Sequence, residues 1–160
     1  MDISIRPAIE TDADTIAHHR VAMFQQMGNI ATRAVADELF RSSVPVIRAG
    51  LEDGTYIGWL AVTPQDRIVA GAGAHIRPQL PRPSLDGQTI ECLPAPLIVN
   101  VYTEPDYRRS GLARLLMNTV LDWATQRGSG PVVLHASDAG RAHYESLGFK
   151  PTNEMRWSPV

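Results

Sequence analysis

Val99, Val101 and Thr103 place β-branched side chains at alternate positions, the period of a pleated strand, and Pro105 closes that run near Glu104 because it has no N–H for a ladder. Beyond it, Leu112, Leu115, Leu116, Thr119, Val120 and Trp123 recur at helical spacing and predict an amphipathic helix with one apolar stripe, ending before Gly128. Upstream, Ile3 to Pro7 reads as a short first strand. Thr11 to Asp14 resembles a capping box opening a helix that carries Ile16, Ala17, Met23, Phe24 and Met27. A second helix starts near Thr32 with Val35, Leu39 and Phe40 apolar, and Pro45 is expected to begin a separate helical piece running to about Glu52.

After the Asp53-Gly54 turn, Tyr56 to Val62 and Ile68 to Ile76 form a strand pair joined by Thr63 to Arg67. Arg77 to Pro96 holds five prolines and little periodicity, which predicts a long surface excursion before a strand resumes near Leu97. A short apolar strand at Val132 to Leu134, a helix from about Asp138 to Leu147 and a last strand around Lys150 to Trp157 complete the series. This order predicts one α/β domain over residues 1–160, with a mixed central sheet of about six or seven strands flanked by helices. The strands at Leu97 and Leu134, joined through a helix, should run parallel.

The segment between strand and helix carries the candidate chemistry. Arg108 and Arg109 bring fixed positive charge, Gly111 and Ala113 are small, and the helix that follows begins with N–H groups that have no intrahelical partner. Such an end attracts phosphate. In an open sheet, ligands bind beyond the carboxyl ends of the strands, where this loop lies.

Composition narrows the ligand. At 160 residues, 44% hydrophobic and 20% charged, the chain has the make-up of an ordinary globular domain. Its net charge of -2 argues against a nucleic-acid partner, since that needs a broad basic face. One small anionic ligand suits the local basic loop better. No apolar run approaches the length of a membrane span and the start has no leader pattern, so the expectation is a cytoplasmic protein without a membrane partner. A lone Cys92 excludes an internal disulfide and a multi-cysteine metal site, and the adjacent His18 and His19 face different sides of a helix, so no metal is expected.

Arg108-Arg109-Ser110-Gly111-Leu112-Ala113 resembles the signature of the GNAT superfamily of acetyl-CoA-dependent N-acyltransferases: Arg or Gln, two residues, Gly, any residue, then Gly or Ala. Ser137 to Phe149, with Tyr144 followed by Leu147-Gly148-Phe149, is similar to that family's second acetyl-CoA segment. The resemblance implies a GNAT-like fold and an acyltransferase for groups other than aminoacyl. It implies acetyl-CoA as co-substrate, without a metal, and a small-molecule or peptide amine as acceptor. It leaves room for a homodimer.

By the same resemblance, the backbone N–H groups of Arg108, Arg109, Ser110, Gly111, Leu112 and Ala113 hold the CoA pyrophosphate, with Arg109 and Arg114 as outer contacts. Val101 and Thr103 pair their backbone with the pantetheine arm like an added strand, which requires the Val132 to Leu134 strand to splay away. Ser137 stands where many relatives place an asparagine against the pantetheine. Val101 N–H matches the oxyanion donor and Tyr144 the general acid, a phenol protonated at neutral pH. The position that matches the carboxylate base of some relatives is Leu97, and neither Glu91, Glu104 nor Asn100 takes its place, so no base is assigned. His135, at a strand end near the proposed thioester, and His143, pointing away from Tyr144, are secondary. Arg20, Phe24, Met27 and the loop around Pro78 to Pro83 are expected to shape the acceptor side. A non-catalytic acyl-CoA-binding or sensing module is the rival reading, whereas the missing Gly-Lys-Ser/Thr argues against a P-loop enzyme.

Overall fold

The computed structural model describes residues 2–84 and 86–159, so Met1, Leu85 in the proline-rich excursion, and Val160 lie outside the described residues. Strands β1 (Ser4–Pro7), β2 (Tyr56–Val62), β3 (Ile68–Arg77), β6 (Ala95–Thr103) and β7 (Val133–Leu134) form a central sheet in the order β1-β2-β3-β6-β7. The first three pairings are antiparallel and β6 with β7 is parallel, as the crossover through a helix demands. The expected mixed sheet is present, but among the described residues only five of the seven strands belong to it. The other two, β4 (Arg82–Pro83) and β5 (Ile90–Glu91), make a separate hairpin inside the excursion predicted to be irregular, tied by an Arg82–Glu91 ion pair at 3.2 Å.

Both faces of the sheet are covered. On β2, Tyr56, Leu60 and Val62 face α1 (Ala13–Gln26) and α2 (Arg33–Asp53), while Trp59 and Ala61 face α3 (Leu112–Gln126). On β3, Ala70, Ala72 and Ala74 meet α3, and Gly71 lies under α1, where a Cβ would sit 3.0 Å from Leu60 Cδ2 and 3.5 Å from His19 Nδ1. Small side chains let the helices approach closely.

Four sequence expectations need correction. The α1 entrance is held by Asp12 rather than by a Thr11–Asp14 box: Asp12 Oδ2 accepts the Ile9 N–H at 2.8 Å within a 3₁₀ turn, and Arg6 grips the same carboxylate at 2.7 and 2.8 Å. Pro45 does not divide α2, whose buried residues Ala36, Ser43, Ile47 and Gly50 keep one stripe across it. Packing of that stripe therefore outweighs the lost hydrogen bond at proline, about 3 kcal/mol. In α3 the buried stripe is Leu112, Leu116, Met117, Val120 and Ala124, so Leu115 points outward at 46% exposure and Trp123 packs only partly. Finally, Lys150 to Trp157 adds no strand; Pro151 removes a donor where pairing would begin, and the segment runs as irregular chain.

Candidate active site

The site begins at a fault in β6. Gly73 pairs with Asn100 and Ala74 with Ile98, so Val99 is the extra residue of a β-bulge. Its effect is on direction. Ile98 and Val101 face the α3 side, whereas the consecutive Val99 and Asn100 both face α1, Val99 in the α1/α2 cluster and Asn100 against Arg20. Regular alternation of Val99, Val101 and Thr103 does not hold through this point.

β7 pairs with β6 only at Leu97↔Val133 and Ile98↔Leu134 and ends there, so β6 from Val99 to Thr103 has no strand on that side. The parting expected between them takes the form of a strand that ends. Into the gap opens a cleft of about 820 Å³, floored by Ile98, Val99 and Val101, with Leu134, His135, Ser137 and Tyr144 on one wall and Arg20, Met23, Phe24 and Met27 of α1 on the other. Arg108 and Arg156 stand at its margins.

At the carboxyl end of β6 a 3₁₀ turn, Pro105–Tyr107, leads into the basic loop. Arg108 Nε donates to Thr103 O at 3.1 Å, tying the loop to the strand and using one of the two lone pairs of that carbonyl. The Ser110 hydroxyl donates to Tyr107 O. Arg109 (φ 58°) and Gly111 (φ 85°) are both left-handed, and Gly111 is the N-cap of α3. A Cβ on Gly111 would meet nothing within 4 Å, so what demands glycine in the fold is this conformation rather than space. Thr103, Arg108, Arg109, Gly111, Leu112 and Ala113 line a separate depression of about 330 Å³, joined by Arg114 and His143. Arg114 is directed by a 2.7 Å hydrogen bond to Ser146 Oγ.

Tyr144 lies in α4 (Asp138–Glu145), whose N-cap is Ser137, accepting the Gly140 N–H at 3.2 Å. Ser137 Oγ is thus engaged as an acceptor and retains its own proton to donate. Gly140 leaves room one turn before Tyr144, since a Cβ there would come 3.1 Å from Tyr144 Cε2. Phe149 meets the Tyr144 ring edge-on at 6.0 Å. Burial raises the Tyr144 pKa above its ordinary value of 10, which keeps the phenol protonated.

The structure brings Val101, Ser137, Tyr144 and Arg108 to one cleft and puts Gly111, Leu112 and Ala113 in the adjoining depression. Arg20, Phe24 and Met27 line the cleft as expected, but no residue from Pro78 to Pro83 does. Leu97 is half-buried on β6, Glu91 sits in the exposed hairpin, and Glu104 lies toward His19 at 3.8 Å. Cys92 is exposed and outside the cleft. His135 holds Glu154 at 2.9 Å on the rim. Among the described residues no three His, Cys, Asp or Glu side chains cluster to hold a metal. Among the described residues no helix is long and apolar enough to cross a membrane.

Three groups make contacts that the sequence did not foretell. His143 shares the loop depression and has a buried Nε2 without a partner among the described residues; its ring centroid is 5.5 Å from that of Tyr144. Arg156 reaches the cleft from a segment taken for a strand. Asn100 links Arg20 (Nη1 to Oδ1, 2.8 Å) and Tyr56 (Nδ2 to Oη, 3.5 Å), and Gly73 lies beneath, where any Cβ would overlap the Tyr56 hydroxyl. Burial pushes the Tyr56 phenol up to about 12. The paired small residues Gly71 and Gly73 were the available signal for that close approach.

A mixed sheet opened beside its parallel strand pair, with a basic left-handed loop capping the next helix, is the arrangement that the motif resemblance implies. The chain belongs to the Acetyltransferase (GNAT) family, whose model matches residues 15–149. A GCN5-related N-acetyltransferase from Ralstonia eutropha JMP134 is similar at 28% identity and TM-score 0.84, with 99% of each chain covered. A protein of Clostridium acetobutylicum described as a predicted acetyltransferase, in a structure with acetyl-CoA, shares the fold at 23% identity and TM-score 0.78, covering 99% of this chain and 96% of its own. The glucosamine-6-phosphate N-acetyltransferase of Arabidopsis thaliana does so at 19% identity and TM-score 0.66, covering 100% and 99%. No curated protein matches the chain.

Proposed function

We propose that this protein moves an acetyl group from acetyl-CoA to a primary amine by direct attack within a ternary complex. The observation that carries the reading is the parting of β6 and β7 beyond Ile98, which opens an edge of β6 beside the Arg108–Ala113 loop and in view of Tyr144. A pantetheine arm fits that edge as an added strand, with Val101 and Thr103 supplying backbone groups and Ser137 a hydroxyl. The pyrophosphate fits the N–H groups of Arg108, Arg109, Ser110, Gly111, Leu112 and Ala113 at the positive end of α3. Binding this extended ligand places the thioester at the bulge.

The reaction follows from those positions. The amine lone pair attacks the thioester carbon, and the carbonyl oxygen, now an oxyanion, is held by Val101 N–H. As the carbon–sulfur bond breaks, the sulfur takes the Tyr144 proton and leaves as the CoA thiol. The tyrosine regains a proton from the ammonium formed on the nitrogen, through water. No enzyme-bound acyl group is required.

The test is saturable acetyl-CoA binding together with release of free CoA thiol across a panel of primary amines. Thiol release dependent on both acetyl-CoA and an amine, with acetylated product by mass spectrometry, is the expected result. Tight acetyl-CoA binding without release for any amine would instead identify a binding module.

A further inference from the structure

Arg20 is set apart from the other arginines that approach the cleft. It projects from the middle of α1, half-buried, on the wall opposite Tyr144, whereas Arg108 is exposed and engaged by Thr103 O, and Arg156 is exposed on the rim. Its guanidinium is held from two directions. Nη1 donates to Asn100 Oδ1 at 2.8 Å, and the group's central carbon lies 4.9 Å from the Phe24 ring centroid. Asn100 is buried at 5% exposure and points toward α1 only because of the bulge at Val99. These contacts fix the fork without neutralising it.

No carboxylate among the described residues lies within ion-pair distance of Arg20, and none lines the cleft. The Asn100 bond is also the only hydrogen bond Arg20 makes among them, so Nε and Nη2 remain available. A half-buried cation without a counter-charge is unfavourable, and its burial depresses the guanidinium pKa although it stays charged. The neighbouring His75 is likewise pushed down, chiefly by its own burial and further by the positive charge of Arg20. An oriented fork left without an anion at a ligand cleft is a receptor for one.

We propose that the acceptor is an amine that also bears a carboxylate, an amino-acid-type molecule with an apolar portion, and that Arg20 is the residue that binds its carboxylate. One free guanidinium edge matches the two oxygens and single charge of a carboxylate better than the higher charge of a phosphate. The apolar portion lies against Met23, Phe24 and Met27. The proposal rests on the acetyl-transfer reading and supplies its missing substrate class.

The experiment compares norleucine, norleucinamide, hexylamine and 6-aminohexyl phosphate as acceptors for the wild type, Arg20→Met and Arg20→Lys, reading kcat/KM for CoA thiol release. The wild type is expected to favour norleucine over hexylamine and the phosphate. In Arg20→Met the ratio of norleucine to norleucinamide falls about 10- to 100-fold, the range of a lost charge-assisted hydrogen bond, and Arg20→Lys recovers part of it. Comparing ratios between variants cancels the different basicities of the amines. Equal losses on norleucine and norleucinamide would make Arg20 structural, and a wild-type preference for the phosphate would assign the site to phosphorylated amines; either overturns the carboxylate. Calorimetric binding of the same amines to the CoA-loaded protein separates the two levels of inference. Norleucine binding that depends on Arg20 but yields no thiol rejects acetyl transfer and keeps the anion site, whereas turnover of hexylamine with no gain from a carboxylate does the reverse.

Discussion

Tyr144 and His19 show how one residue's surroundings set its chemistry. Tyr144 sits between Gly140 and Phe149 with its pKa raised by burial, so it is a proton donor across the whole physiological range. Tyr144→Phe is expected to lower kcat by about 10²- to 10³-fold, the usual scale of a general acid, while the acetyl-CoA dissociation constant changes less than about twofold. Steady-state kinetics with equilibrium binding checks both, and wild-type turnover in the variant would reject the role. His19 is the opposite case. It is 5% exposed beneath Tyr102, and burial, helped by the neighbouring His18, holds its pKa down at about 4; Glu104, 3.8 Å away and partly solvated, does not reverse this. Because the unfolded chain takes up this proton near pH 6.5 and the folded chain only near pH 4, stability is complete above the first value and is lost as pH falls between them. The loss approaches about 3 kcal/mol. Urea midpoints between pH 7.5 and 4 should show that slope in the wild type and a flatter one in His19→Gln.

The elements were legible in the sequence to unequal degrees. Helix α3 and strand β6 announced themselves through period and punctuation, and β6 does stop at Thr103, before Glu104-Pro105. Pro45 misled because local propensity is a per-residue term, whereas the stripe from Ala36 to Gly50 is a sum over the whole of α2. That sum gives a prediction. Pro45 is exposed, so Pro45→Ala should restore a hydrogen bond without touching the core; the helical gain of about 3 kcal/mol less about 1 kcal/mol for a freer unfolded chain leaves roughly 2 kcal/mol of added stability. An unchanged or lower thermal midpoint would mean that the helix has relaxed around the proline. At the other joint, Gly111→Val forces a β-branched residue into φ 85°. It is expected to weaken acetyl-CoA binding at least about 10-fold, a strain of 1–2 kcal/mol or more falling directly on the loop, as measured by calorimetry.

For the molecule as a whole, charge around the cleft bears on how an acceptor amine would lose its proton. Its described lining holds Arg20, Arg108 and Arg156 and no carboxylate, while His135 on the rim is paired with Glu154 and Leu97 on β6 is apolar. A positive surrounding disfavours an ammonium ion and so eases loss of the amine's own proton to water. The log of kcat/KM should therefore rise with pH to a plateau whose apparent pKa follows the acceptor when acceptors of different basicity are used. An apparent pKa that stays fixed across acceptors would reveal a base on the protein.

By itself the sequence determined the layers, the parallel crossover and the place of the basic loop, because strand and helix periods, proline and glycine act within a few residues of one another. It also placed Tyr144, Ser137 and Val101 through a motif resemblance, and the fold brings those three to a common cleft. Tertiary structure alone decided the directions of side chains on β6, since a one-residue bulge at Val99 reverses every face beyond it and arises from pairing with β3. It likewise decided that Arg20, 80 positions before Asn100 in the chain, meets it at 2.8 Å without a counter-charge. Such a contact depends on how two distant elements pack, and no local period records it.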